Sequence, residues 1–375
     1  MPSAKADSDT DINGLDAGLK ASSTQISRRP SFSANREGLL NPEFRSNVKS
    51  LFKLVIILIL AFAAWFAWAA LLPVRPAQTT FVLLRPGWST RHIARDLQKQ
   101  GVIRSSTAFL MIQYAKGLRT LKAGEYKFDQ PANALEVWSR LTRGDVYART
   151  VVVPEGFNLY DVANAVEQAG LGPASDFVTA AQNDLFLLKD IDPSAKSLEG
   201  YLFPDTYQFT RIDSAHEIAA AMVHRFRQEA QKIGLLGRSD THRVVTMASI
   251  VEKETADPSE RPLVAGVYYN RLDKNMTLAA DPSVIYAALL AGRYRGTIYA
   301  SDLQYDSPYN TYKYPGLPPG PIANPGIASL QAAMHPKQSD YLYFVSDNNG
   351  HHRFARDYEE HAKNVAAYRR SVAAQ

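Results

Sequence analysis

Two carboxylates one residue apart, Glu252 and Glu254, close the run RVVTMASIVEKET at residues 243–255. Apolar residues at 244, 247, 248 and 251 step at helical spacing, and Pro258 stops the helix soon after Thr255. The carboxylates therefore sit at a helix C-terminus, where the dipole disfavours negative charge. An apolar wall nearby would add desolvation, and both effects raise a carboxyl pKa toward the working range of a general acid. At 100° per residue Lys253 points away from the apolar stripe and the two glutamates flank it. Helical phase leaves the choice between them open, and a solvated Glu-Lys-Glu turn is the plain alternative.

Within the next stretch lie DPSVIY (281–286), YNTY (309–312), GLPPGPI (316–322), NPG (324–326) and YLYFV (341–345). Pro and Gly fix loop shapes, while Tyr and Asn present flat faces and amides, a combination suited to sugar rings. Other chemistries drop out. The chain has no cysteine, which removes disulfides, thiolate zinc sites and thiol nucleophiles. His216-Glu217 begins an H-E-x-x-H pattern, but its fifth position is Ala220. His351 and His352 are adjacent and read as solvated. Neither a metal nor a cofactor is expected. A net charge of +5 over 375 residues is too weak to argue for nucleic acid.

The elements that must position this helix include an internal repeat. Phe81 to Gly87 leads into Ser89–Leu97 and then Gly101; Val151 to Gly156 leads into Asn158–Val166 and then Gly170. The paired glycines are 69 residues apart in both cases. Each unit reads as strand, glycine turn, helix capped by Ser89 or Asn158, and glycine stop. The helices bury 93, 94 and 97, or 162, 163 and 166. The pattern resembles LysM-type glycan-binding modules; two ordinary βα units are the alternative. Residues 121–128 alternate like a strand, and helices are expected at 134–141 and 215–233.

Residues 54–72 carry no charge or proline. As a helix they extend ~28 Å, close to the hydrocarbon thickness of a bilayer. Trp65 and Trp68 fit an interfacial belt. Flanking charge is nearly balanced, so orientation rests on size: the long C-terminal portion translocates, leaving the N-terminus in the cytoplasm. A cleaved signal peptide, with Ala67-Trp68-Ala69 as its site, is the competing reading; the 53 residues ahead of the span are long for one. Residues 1–53 hold eight basic and six acidic residues and read as a disordered cytoplasmic tail.

Taken together, ASIVEKET, DPSVIY, YNTY, GLPPGPIANPG and YLYFV, with AGEY (123–126) and LEGYLFPDTY (198–207) upstream, resemble the MltG/YceG family of endolytic murein transglycosylases. The likeness covers roughly residues 78–370. It implies an α+β chain: a tail (1–53), a single transmembrane helix (54–72), a LysM-like βα subdomain (78–150) and a lysozyme-like catalytic domain (151–370). It implies a lyase of the cell inner membrane with its catalytic domain in the periplasm. The reaction would be non-hydrolytic cleavage of nascent peptidoglycan strands, leaving 1,6-anhydro ends and terminating strand elongation. The resemblance carries the catalytic role to Glu254, the second Glu of E-K-E-T, followed by the hydroxyl residue Thr255. Motif position makes Asp281, Tyr309, Asn310, Thr311, Tyr312, Asn324 and Glu252 the expected substrate-binding set. Expected partners are glycan strands and peptidoglycan synthases such as penicillin-binding proteins. A hydrolytic outcome and a non-enzymatic glycan binder are the other readings.

Overall fold

The structure, a computed structural model, describes residues 42–373. Most of the expected tail, residues 1–41, lies outside them. Helix α1 (Pro42–Leu71) begins inside the segment read as tail. Its portion Ser46–Leu71 is long and apolar enough to cross a membrane. Its side chains at Leu54, Ile57, Leu58, Ile59 and Leu60 are exposed, as a lipid-facing helix requires.

The rest is mixed α and β. Strand β1 (Thr80–Leu84), helices α2 (Thr90–Lys99) and α3 (Ser106–Ala115), and strand β2 (Gly124–Phe128) form one unit, with β1 and β2 antiparallel and Val82 opposite Tyr126. Helix α4 (Ala134–Arg143) follows. The order then recurs as β3 (Arg149–Val152), α5 (Leu159–Gln168), α6 (Ala174–Asn183) and β4 (Thr206–Phe209), with β3 and β4 antiparallel. The repeat seen in sequence is therefore a repeat of strand–helix–helix–strand units. Ser89 Oγ accepts the His92 N–H at 3.3 Å, and Asn158 Oδ1 accepts those of Tyr160 and Asp161 at 2.9 and 3.0 Å. Ile93, Ala94, Leu97, Val162, Ala163 and Val166 are all buried. Gly87 and Gly156 turn at φ +82° and +79°, which only glycine adopts without strain.

Residues 69–141 and residues 151–333 supply two separate apolar cores. Buried Glu125 of β2 joins the two units: Arg149 on β3 meets it at 2.8 Å and Arg211 at 3.4 Å.

Besides α5 and α6, the larger core is built on α7 (Ala215–Lys232), α8 (Thr241–Glu254), α9 (Arg261–Asp273), α10 (Asp281–Leu290) and α12 (Ile327–Met334), with the short α11 (Ala300–Leu303) against α10. The hairpin β5 (Tyr343–Ser346) and β6 (His352–Ala355), then α13 (Tyr358–Ala373), complete the chain. Helix α8 is central. Every residue from Val244 to Val251 is buried, not only the expected stripe, because α9, α10 and α12 pack around it. DPSVIY, read above among loops, is the first part of α10, with Pro282 in the first turn, where its missing N–H costs nothing.

Gly266 lets α9 approach the backbone at Lys337: a Cβ there would stand 2.3 Å from the Lys337 carbonyl oxygen. Gly266→Ala is expected to cost about 2–3 kcal/mol, since backbone must shift to make room. A urea melt of the two proteins checks this; an unchanged midpoint would mean that the contact yields freely.

Candidate active site

Glu254 is the last residue of α8, and Thr255 caps the helix in extended conformation. The Thr255 hydroxyl accepts the Asp257 N–H at 3.1 Å, turning the chain sharply. That turn leaves the Glu254 carboxyl in a cleft of about 330 Å³ lined by Tyr268 and Arg271 of α9, Asp281 of α10, Tyr312, Phe344 and Val345 of β5, and His361 of α13, among others. The Tyr268 hydroxyl donates to Glu254 Oε1 at 2.6 Å. Desolvation is the largest influence on Glu254; with the Asp281 charge it outweighs the Tyr268 bond and the Arg271 cation. The carboxyl is pushed up from 4.5 to about 7, so a large fraction is protonated at neutral pH.

The expected binding residues divide. Asp281 and Tyr312 reach the cleft, joined by a 2.5 Å bond from the Tyr312 hydroxyl to Asp281 Oδ1. Thr311 lies buried beneath: its Oγ1 accepts the Ala280 N–H at 3.0 Å and bonds Ser283 Oγ at 2.8 Å, tying YNTY to the start of α10. Asn310 is buried and pins its own loop, donating to the carbonyls of Leu303 and Tyr305. Asn324 is buried too. Its Oδ1 accepts N–H groups of Gly200 and Leu202, and its Nδ2 donates to Phe157 O and Glu199 Oε1. Tyr309 packs its ring 5.1 Å from Tyr286 against the core. Glu252 shares neither cleft nor solvent with Glu254. Its Oε1 pairs with buried Arg261 at 2.9 Å and its Oε2 accepts the Gly326 N–H at 2.9 Å. Asn310, Thr311, Asn324 and Glu252 thus spend their polar atoms on the protein. None of the four is among the residues lining the cleft.

Sequence reasoning missed Tyr268, Arg271 and His361. The first two stand one helical turn apart on α9, a spacing that could have flagged them had α9 been read. Also missed was Glu199, outside this cleft. It is buried and receives hydrogen bonds from the Leu159 N–H, the Tyr286 hydroxyl and Asn324 Nδ2. Burial pushes its carboxyl up to about 8.

His352 is not solvated as expected: it is mostly buried and bonds Glu260 at 2.7 Å. His351 is exposed and meets Asp257 at 3.1 Å. Asp257, Glu260 and His351 bring ligand-type atoms within 4.8 Å of one another. Through these bonds the turn between β5 and β6 is latched to the chain entering α9.

The model of the YceG-like family matches residues 82–367. An endolytic murein transglycosylase of Bacillus subtilis is 35% identical over 312 residues, which cover 77% of this chain and 85% of that protein. One from Streptococcus pneumoniae is 30% identical over 353 residues, 84% of this chain. The chain spans only 64% of that longer relative. A crystallised yceG-like protein of Listeria monocytogenes matches the fold with a TM-score of 0.50 at 33% identity, over 76% of this chain and 98% of that one.

Proposed function

Because the chain belongs to the YceG-like family, we propose that it is itself an endolytic murein transglycosylase with Glu254 as its catalytic acid and base. The observation that carries this reading is a half-neutral carboxyl, at the end of a rigid buried helix, opening into a polar cleft. Protonated Glu254 donates to the glycosidic oxygen between N-acetylmuramic acid and N-acetylglucosamine. The acetamido group of the substrate steadies the positive charge developing at C1. Ionised Glu254 then takes the proton of the muramyl 6-hydroxyl, and that oxygen bonds C1. The product is a 1,6-anhydro end, and no water is consumed. The internal hydroxyl has the effective-concentration advantage that water lacks.

One feature favours a second reading. Asp281 is another carboxylate in the cleft, and paired carboxylates serve ordinary hydrolases. The test is mass spectrometry of strands digested by the full chain. Fragments lighter by one water, with anhydro ends, are expected; reducing ends would mean hydrolysis.

The order β1-α2-α3-β2, with its antiparallel closing pair, supports the LysM-like reading of 78–150, and the helical surround of α8 supports the lysozyme-like reading of 151–370. With α1 as a single inner-membrane anchor and the N-terminus cytoplasmic, the cleft would meet periplasmic strands and the synthases that extend them.

Tyr268→Phe removes the bond that favours ionised Glu254, so the pKa of Glu254 rises. The acid must be protonated to act, so the alkaline limb of the pH–kcat/KM profile is expected to move up by about half a pH unit or more. A limb that stays put or moves down would remove Tyr268 from the account.

A further inference from the structure

Arg271 is half-buried and lines the Glu254 cleft. Its Nε donates to Leu342 O and its Nη1 to Leu278 O, both at 2.6 Å, and its guanidinium lies 5.1 Å from the Tyr343 ring centre. These partners orient the fork but leave its charge uncompensated: among the described residues, no carboxylate lies within 4 Å of it. Its field nevertheless reaches Glu254, Tyr268, Tyr312 and His361. A partly desolvated cation without a counterion is costly to hold, and an arriving anion offsets that cost.

His361, from the first turn of α13, flanks the same Tyr343 ring, 5.0 Å away and 22° from parallel. Among the described residues its buried Nδ1 has no partner. Burial and the Arg271 cation lower its pKa, so the ring is neutral at neutral pH. A neutral imidazole can donate one hydrogen bond and leaves the Arg271 charge undiluted.

Murein differs from a plain N-acetylglucosamine polymer by the lactyl ether on every second sugar. That ether ends in a carboxylate, its own or one on the attached peptide. We propose that Arg271 and His361 form a subsite for this carboxylate, so that the cleft recognises muramyl sugars by charge as well as by shape. The inference rests on the murein reading of the cleft. Arg271 supplies its charge and the guanidinium hydrogens that Leu342 and Leu278 leave free, chiefly those of Nη2, His361 a further hydrogen bond, and Asp281 repels the same group from its own part of the cleft.

The test uses the full chain carrying Glu254→Gln, which binds without cleaving, and titration calorimetry with three tetrasaccharides. One bears stem peptides, one has been stripped of them and ends in free lactyl carboxylates, and one is the uncharged N-acetylglucosamine tetramer. At least one anionic probe is expected to bind about tenfold tighter than the neutral one. Which of the two does so identifies the carboxylate. Adding Arg271→Gln should shrink that ratio to about twofold or less. Equal binding of all three probes overturns the proposal, as does a ratio that survives Arg271→Gln. Arg271 also anchors two carbonyls, so thermal melts are compared first; if that variant is unfolded, His361→Ala carries the test, with a ratio at least about threefold smaller expected and an unchanged ratio overturning it. Failure of the murein reading is separately visible, as absence of anhydro ends when the Glu254-intact chain is given peptidoglycan.

Discussion

Glu254→Gln is expected to abolish release of anhydro-ended fragments from purified peptidoglycan while the protein stays folded. The amide keeps the shape of the side chain and can still accept the Tyr268 hydrogen bond, but it cannot donate an acidic proton or take one back. A positioned acid or base contributes on the order of 10²–10⁴-fold, and in the proposed mechanism one group serves both steps. Product should therefore fall below detection in a digest where wild type runs to completion. Wild-type amounts of anhydro product from the variant would sink the assignment. The same variant reads out the electrostatics. Glu254 is an acid whose pKa is raised in the folded state, so the stability associated with its protonated form is complete below pH 4.5 and is lost as pH rises through about 7. Glutamine has no such loss. The variant should match wild type in acid and be the more stable above pH 7, by up to about 3 kcal/mol. Parallel melting curves at every pH would mean that the carboxyl is not desolvated.

Arg261→Met is expected to damage the fold about as badly as Glu254→Gln damages the chemistry. Arg261 and Glu252 are both nearly inaccessible and 2.9 Å apart, with Glu155 at 3.5 Å on the open side. Removing the cation strands the Glu252 carboxylate, which then keeps only the Gly326 N–H. Breaking one side of such a pair costs about 3–5 kcal/mol. A double-mutant cycle with Glu252→Gln in urea separates the pair from its surroundings: the second substitution should recover much of the loss. Activity per folded molecule should fall far less in Glu252→Gln than in Glu254→Gln. If the two glutamine variants lose anhydro product equally, Glu252 belongs to the chemistry and not to the scaffold.

Those two glutamates mark where linear reasoning stops. Helical phase could not choose between them, because both flank the stripe at similar angles. Their fates differ through residues distant in sequence: Arg261 and Gly326 capture Glu252, while Tyr268 meets Glu254. Asn310 and Asn324 show the same limit. Their residue types suit sugar binding and loop pinning equally, and only the surrounding carbonyls and N–H groups put them to the second use. Helices α9 and α13, which bring Tyr268, Arg271 and His361 to the cleft, sent weaker signals. Apolar residues crowd α9 without a clean stripe, and α13 buries no residue fully.

By itself the sequence determined whatever depends on neighbours along the chain. The caps Ser89 and Asn158, the glycine turns, the buried stripes of α2 and α5 and the uncharged run in α1 are set by local sterics and periodicity, which act over a few residues. Tertiary structure alone decided which carboxyl is desolvated, which cation has no counterion and which polar side chains are spent on the scaffold. Dielectric and hydrogen-bond satisfaction are properties of a site's whole surroundings, and α8, α9, α10, the β5–β6 hairpin and α13 become one another's surroundings only after the chain has folded.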